Sequence, residues 1–158
     1  MVMTRWPWSW TRWRLLRRLD IRLIEEAIER AEARTSGEIR VSVVGFFRGD
    51  LWALAERAFK RLGMTATRHR NAVLILVAPA RHKFVVLGDE GIHARLGDSF
   101  WSTVKEALES RFREEEFTAG LVEAIDRIAT GLAVHFPPAP SGGDVNELSN
   151  SVDVARNP

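Results

Sequence analysis

Cysteine is missing from this sequence of 158 residues. Disulfide frameworks, zinc–thiolate centres and cysteine nucleophiles are therefore excluded. Long apolar runs are missing as well; none approaches the ~20 residues that a membrane-spanning helix needs. There is no His-x-x-x-His pair and no Gly-x-Ser-x-Gly elbow. His69, His82, His93 and His135 are scattered, and Ser36, Ser42, Ser99 and Ser102 have no base at a telling spacing. No internal repeat is visible. Lysine is scarce: only Lys60, Lys83 and Lys105 among 23 basic residues, against 21 acids. Arginine thus sets a pI of about 9.6 while the net charge is only +2. That balance is too mild to call for nucleic acid, and no nucleic-acid partner is expected.

What is present reads as one globular domain with tails, 46% hydrophobic and 28% charged. The first 19 residues stand apart as an arm. Trp6, Trp8, Trp10 and Trp13 are interleaved with arginine, and no acid occurs before Asp20. The arginines break any continuous apolar stretch, so this is not a secretory signal. Interleaved tryptophan and arginine could stack on nucleic acid bases, but two other readings weigh more. Tryptophan at headgroup depth with arginine on anionic lipid makes an interfacial anchor, which also invites self-association. Alternatively the segment is a helical arm whose Trp13, Leu16 and Leu19 pack on the domain. Oligomeric state is not fixed by either. The location expected is cytoplasmic, peripheral on a membrane where the arm engages lipid.

Residues 20–136 form the folded unit. Asp20 is placed to cap a helix to Arg34, with Ile21, Ile24, Ala27, Ile28 and Ala31 as its apolar stripe. Glu38–Val44 is a strand. Asp50 caps a second helix to Leu62, and Gly63 ends it. Val73–Ala78 is apolar throughout, which predicts a central strand buried on both faces. Four residues later Lys83–Leu87 must return antiparallel. A short helical turn over Ile92–Leu96, a helix from Asp98 to Arg113 and a last helix from Phe117 to Phe136 follow. Strand, helix, strand gives a crossover with parallel strands. The expected fold class is α/β: a three-layer α/β/α sandwich, a small mixed sheet flanked by helices on both faces. Residues 137–158, rich in Pro, Gly, Ser and Asn, are expected to be a flexible tail that Val145, Leu148 and Val152 dock at most weakly.

Strand polarity brings several groups to one sheet end. Glu38 and Asn71 begin parallel strands, and the antiparallel return delivers Asp89 and Glu90 beside them. Asp98 follows closely. Oxygen ligands from separate segments suit a hard cation, Ca2+ or Mg2+. The competing reading is ordinary: Glu38 pairs with Arg40 or Arg70, Asp98 caps a helix, and Gly88-Asp89-Glu90-Gly91 is a turn. The opposite end gathers Arg81, His82 and Lys83 with Arg48, a candidate anion site or a charged hairpin that blunts the sheet.

Three segments resemble the TPM domain family: Thr35-Ser36-Gly37-Glu38-Ile39-Arg40-Val41, Asn71-Ala72-Val73-Leu74-Ile75-Leu76-Val77, and Gly88-Asp89-Glu90-Gly91-Ile92. The closing Asp144–Asn150 stretch resembles a short bacterial branch of it. The resemblance implies an α/β/α sandwich, acid-phosphatase-like activity in some members, and divalent-ion binding at the acidic edge. Family members often carry Asp-Asn-Gly or Asn-Asn-Gly before the central strand. Here Arg70-Asn71-Ala72 stands there, and an arginine repels a cation but holds a phosphate. The function expected is an accessory binding module at a membrane surface or on a membrane-protein partner, with a divalent cation at the acidic edge. The alternative is a divalent-metal-dependent, acid-phosphatase-like hydrolase.

Overall fold

The computed structural model describes residues 2–5, 12–140 and 146–155; for 2–5, 12 and 13 it describes the backbone alone. Its elements are β1 (Val2–Arg5), α1 (Arg12–Arg18), α2 (Ile21–Glu32), β2 (Glu38–Val44), α3 (Leu51–Arg61), β3 (Ala72–Ala78), β4 (Lys83–Gly88), α4 (Glu90–Arg113), α5 (Phe117–His135) and β5 (Asp153–Ala155). The strands make one sheet in the order β1-β4-β3-β2-β5. β2 and β3 are parallel and β4 runs back against β3, as the short connection requires.

Alternation along the central strands separates two cores. Val73, Ile75 and Val77 of β3 face one way, with Ile39, Val41, Val43, Phe84 and Val86, and meet the apolar stripes of α2, α4 and α5. Ala72, Leu74, Leu76 and Ala78 face the other way and are covered by α3 through Leu51, Leu54, Ala55, Ala58 and Phe59. Successive side chains of a strand point to opposite faces. A run apolar at every position therefore demands helices on both sides, and the molecule is a mixed α/β three-layer sandwich.

The predicted helix starts follow from their caps. Asp20 accepts from the Leu23 amide at 3.2 Å and Asp50 from that of Ala53 at 2.9 Å. Gly63 takes the left-handed conformation, φ 75°, that ends α3. α4 joins the short turn and the long helix expected separately, with a break at Gly97, whose φ of 72° and ψ of 169° are not helical.

Two segments flanking residues 20–136 take part in the fold. Val2–Arg5 pairs antiparallel with β4, and Leu15 of α1 is fully buried in the larger core beside Leu19. The packing alternative is supported for Leu16 and Leu19, whereas Trp6, Trp8 and Trp10 lie outside the described residues, as does the side chain of Trp13. The tail expected to be flexible is held over its described part. Asp153–Ala155 adds to β2 in parallel, and Leu148 and Val152 rest against the two cores. A few apolar groups and several hydrogen bonds offset the ordering entropy that composition alone seemed to leave uncovered.

Candidate functional site

The return of β4 places its end beside the start of β3. Gly88 stands opposite Val73, and the Asp89 amide donates to the Ala72 carbonyl at 2.9 Å. Asp89, Asn71 and Glu38 thus share one sheet end, as strand polarity predicts. Gly91 permits the close approach. A Cβ there would stand 2.8 Å from the Arg70 carbonyl oxygen and 3.0 Å from that of His69. Both are backbone atoms with little room to yield. Arg70 itself sits at φ 50°, a left-handed conformation uncommon outside glycine and asparagine.

That backbone aims the Arg70 side chain at Asp89. Arg70 Nε donates to Asp89 Oδ2 at 2.8 Å and Nη2 to Oδ1 at 2.9 Å, a bidentate pair. The Glu90 amide adds a third bond to Oδ1 at 2.7 Å, which makes Asp89 the cap of α4. Asp89 is only 5% exposed, while Arg70 lies on the surface. Its hydrogen bond to Asp89, and then the carboxylate's charge, push the guanidinium pKa above its ordinary value.

The other expected ligands face elsewhere. Asn71 is buried; its Nδ2 donates to the Ser36 carbonyl at 3.0 Å, and its Oδ1 has no partner. Glu38 Oε1 accepts from the Glu147 amide at 2.9 Å, and its buried Oε2 is unpartnered. Glu90 is exposed on the first turn of α4. Asp98 is exposed beyond the Gly97 break, where its carbonyl accepts from Ser102 Oγ at 3.1 Å. Among the described residues no group of three or more His, Asp or Glu side chains is placed to hold a metal ion. The arrangement therefore does not fit the expected calcium or magnesium site. A fixed positive charge satisfies both oxygens of the central acid, and Asp98 lies outside the cluster.

The basic set is also divided. Arg70 belongs to the Asp89 corner, whereas Arg81 and Lys83 lie past the far end of β3. Arg81 donates from Nη1 to the Gly49 carbonyl and lies 5.0 Å from the Phe47 ring centre. It thus ties the hairpin to the β2–α3 loop. Lys83 is the first residue of β4, in register with Ala78 and Arg5.

Two clefts flank this sheet end. The first, about 470 Å³, has walls from Trp52, Phe59 and Leu87, with Glu56, Lys60 and His93 among its polar lining. Asp89 and Glu90 also line it. Trp52 is half-buried and forms a wall of this cleft, while Trp101 is buried in the larger core. The second cleft, about 420 Å³, is lined by Glu29, Glu32, Glu38, Thr35, Asn146 and Asn150 among others. Glu32 was missed. Its signal was an acid four residues after Ile28, at the next position of the α2 apolar stripe. Glu32 Oε1 accepts from the Ile39 amide at 3.0 Å, and burial pushes the carboxyl up to about 8. Glu38 is raised too, again chiefly by burial. Arg40 was likewise not assigned to a site: it is buried in β2, and desolvation lowers its pKa.

A family model described as the TPM domain matches residues 14–131. Among solved structures, the chain is similar to the BA42 protein from the psychrophilic bacterium Bizionia argentinensis. The two share 36% identity over 85% of this chain and 92% of that one, with a TM-score of 0.80. The N-terminal domain of the cg2496 protein from Corynebacterium glutamicum aligns with a TM-score of 0.56 at 18% identity. That match covers 72% of this chain and 71% of that one, a likeness of fold alone. No curated protein matches the sequence. The chain belongs to the TPM domain family.

Proposed function

We propose that this TPM domain is a non-catalytic binding module that docks on a protein partner at a membrane surface, without a divalent cation at the Asp89 corner. One observation carries the reading: Arg70 engages both carboxylate oxygens of Asp89, at 2.8 and 2.9 Å. A cation at Asp89 must displace a guanidinium that already supplies the compensating charge. The apolar walls of the adjacent cleft, Trp52, Phe59 and Leu87, suit an apolar side chain of a partner better than a phosphomonoester. The surface half of the reading rests on the tryptophan–arginine pattern of the first residues. Among the described residues no helix is long and apolar enough to cross a membrane.

The competing reading, a divalent-metal-dependent phosphatase-like hydrolase, draws on two buried oxygens without partners, Asn71 Oδ1 and Glu38 Oε2. Thermal melting of the intact protein with and without millimolar calcium separates the two. A ligand that binds only the native state must raise the midpoint. The expected result is no shift for the native sequence, a rise for Arg70→Asn, and no hydrolysis of a generic phosphomonoester by either. A calcium-dependent rise in the unmodified protein, or metal-dependent turnover lost in Asp89→Ala, overturns the proposal.

A further inference from the structure

The geometry points to the outer edge of β2 as a strand-addition site for an extended partner segment carrying a single acidic residue, a site that the chain's own residues 146–155 fill. The inference adds a second contact surface to the binding-module reading. It lies across the sheet from β4, and nothing in it depends on the Asp89 corner.

The edge is only partly used. β2 runs for seven residues, Glu38–Val44, whereas β5 pairs with three of them, Ser42 with Asp153 through Val44 with Ala155. Further along the same edge the Ile39 amide is satisfied by the Glu32 side chain at 3.0 Å rather than by a strand.

The grip on β5 is a carboxylate receptor. Asp153 Oδ2 accepts from Ser42 Oγ at 2.6 Å and from Arg61 Nη2 at 2.6 Å; Oδ1 accepts from Arg61 Nη1 at 3.2 Å. Arg40, two residues before Ser42 on the same strand face, is 8% exposed, and its Nε has no hydrogen-bond partner. Two guanidiniums and a hydroxyl therefore converge where the chain supplies one carboxylate. Burial opposes the charge on Asp153, yet the bonds from Arg61 and Ser42 outweigh it and hold its pKa below the ordinary value.

Elsewhere the segment is held by hydrogen bonds and shallow apolar contacts: the Arg68 amide donates to the Glu147 carboxylate, at 3.0 Å to Oε2 and 3.3 Å to Oε1. Leu148 and Val152 are half-buried, and Val154 is 40% exposed. Two of its amides donate to glutamates of the body: Glu147 to Glu38 Oε1 at 2.9 Å and Val152 to Glu25 Oε1 at 3.0 Å. A three-residue ladder with shallow apolar contacts belongs to the least stable units of a fold and opens before the whole. Strand addition to an exposed edge is a recurring mode of peptide recognition: main-chain bonds supply affinity and side-chain pockets supply choice.

The receptor defines the occupant. It takes an extended segment parallel to β2, with Asp at the Arg61–Ser42 position, a branched apolar residue just before it and a small residue two places after. The acids Glu25, Glu29 and Glu32 along this side oppose a generally acidic peptide, so one carboxylate among apolar neighbours is what fits.

The test uses the full chain and a labelled synthetic peptide with the sequence of residues 146–155, followed by fluorescence anisotropy. Asp153→Lys places a cation against Arg61 and Arg40 and frees the edge. That variant should bind the peptide about tenfold tighter than the unmodified protein. A peptide with Asn in place of its Asp should lose the gain. Equal binding by the two proteins overturns the inference. So does a dimer of Asp153→Lys in sizing measurements that exchanges C-terminal segments, since a second copy would then be the occupant. Native-state hydrogen exchange on the unmodified protein needs no variant to fold. The amides of residues 153–155 should exchange at least about a hundredfold faster than those of Ile75 and Leu76. Equal protection means that the strand opens only with global unfolding, and it overturns the inference.

Discussion

Glu32, in the last turn of α2, and Glu38, the first residue of β2, stand side by side at the rim of one cleft, and burial raises the pKa of both carboxyls. Burial raises Glu32 to about 8; the bond from the Ile39 amide works against this, and the Glu38 charge adds to it. In the unfolded chain the same group titrates near 4.5. The native state therefore holds a proton that the unfolded chain has lost across that window. The stabilisation is fully present below the unfolded value and disappears as pH rises through about 8. Glu32→Gln keeps a neutral, hydrogen-bonding side chain at every pH. Urea unfolding at about pH 5.5 and about pH 9 should show the native protein losing stability relative to Glu32→Gln as pH rises. Parallel pH profiles for the two proteins contradict the raised Glu32 carboxyl.

Arg70→Ala should lower the denaturant midpoint, because it leaves the buried Asp89 carboxylate with a single backbone donor. The exposure of Arg70 keeps the cost below that of a fully buried pair. Arg70→Gly breaks the same pair but relieves the left-handed backbone, which costs an alanine about 1 kcal/mol. Denaturant midpoints should therefore rank native, then glycine, then alanine. If glycine is no better than alanine, the strain assigned to φ 50° is not there.

Gly91→Ala tests the apposition itself. Its added methyl meets the Arg70 carbonyl at 2.8 Å. Because that neighbour is backbone, the loop or the start of α4 must move, at about 1–3 kcal/mol, the usual cost of overpacking. The Arg70–Asp89 pair should loosen with it, so Gly91→Ala and Arg70→Ala together should cost less than the sum of the two alone. Strict additivity in that cycle would mean that the two features are independent.

Most of the fold was legible because its signals were local and agreed with one another. Asp20 and Asp50 cap the helices they precede, the all-apolar run of β3 demands two helical layers, and a four-residue connection leaves β4 no choice but to return. The site was legible only as far as topology reaches. Strand polarity correctly brings Glu38, Asn71 and Asp89 to one end, but it does not say where their side chains point. The Arg70 pair depends on a left-handed residue that no sequence pattern marks. Asp153 and Arg61 escaped for a different reason: Asp153 meets Arg61 of α3 and Ser42 of β2 across more than ninety positions, from a tail whose composition let it dock only weakly.

The standing of the first helix can be settled through Leu15. It is fully buried in the larger core, on a helix of seven residues that would have no stability alone. If α1 is part of the fold, Leu15→Ala opens a cavity and lowers unfolding free energy by about 2–4 kcal/mol. If the segment is only a membrane arm, the substitution is silent in solution. Vesicle binding needs a separate probe, because removing residues 1–18 also removes β1 and Leu15. Replacing Trp6, Trp8 and Trp10 by serine leaves those packing residues in place. The triple variant should keep the melting midpoint of the native protein and lose sedimentation with phosphatidylserine-containing vesicles. A variant that sediments as well as the native protein removes the tryptophans from the membrane contact. Failure of the native protein to sediment at all removes the membrane from the proposal and leaves only the protein partner.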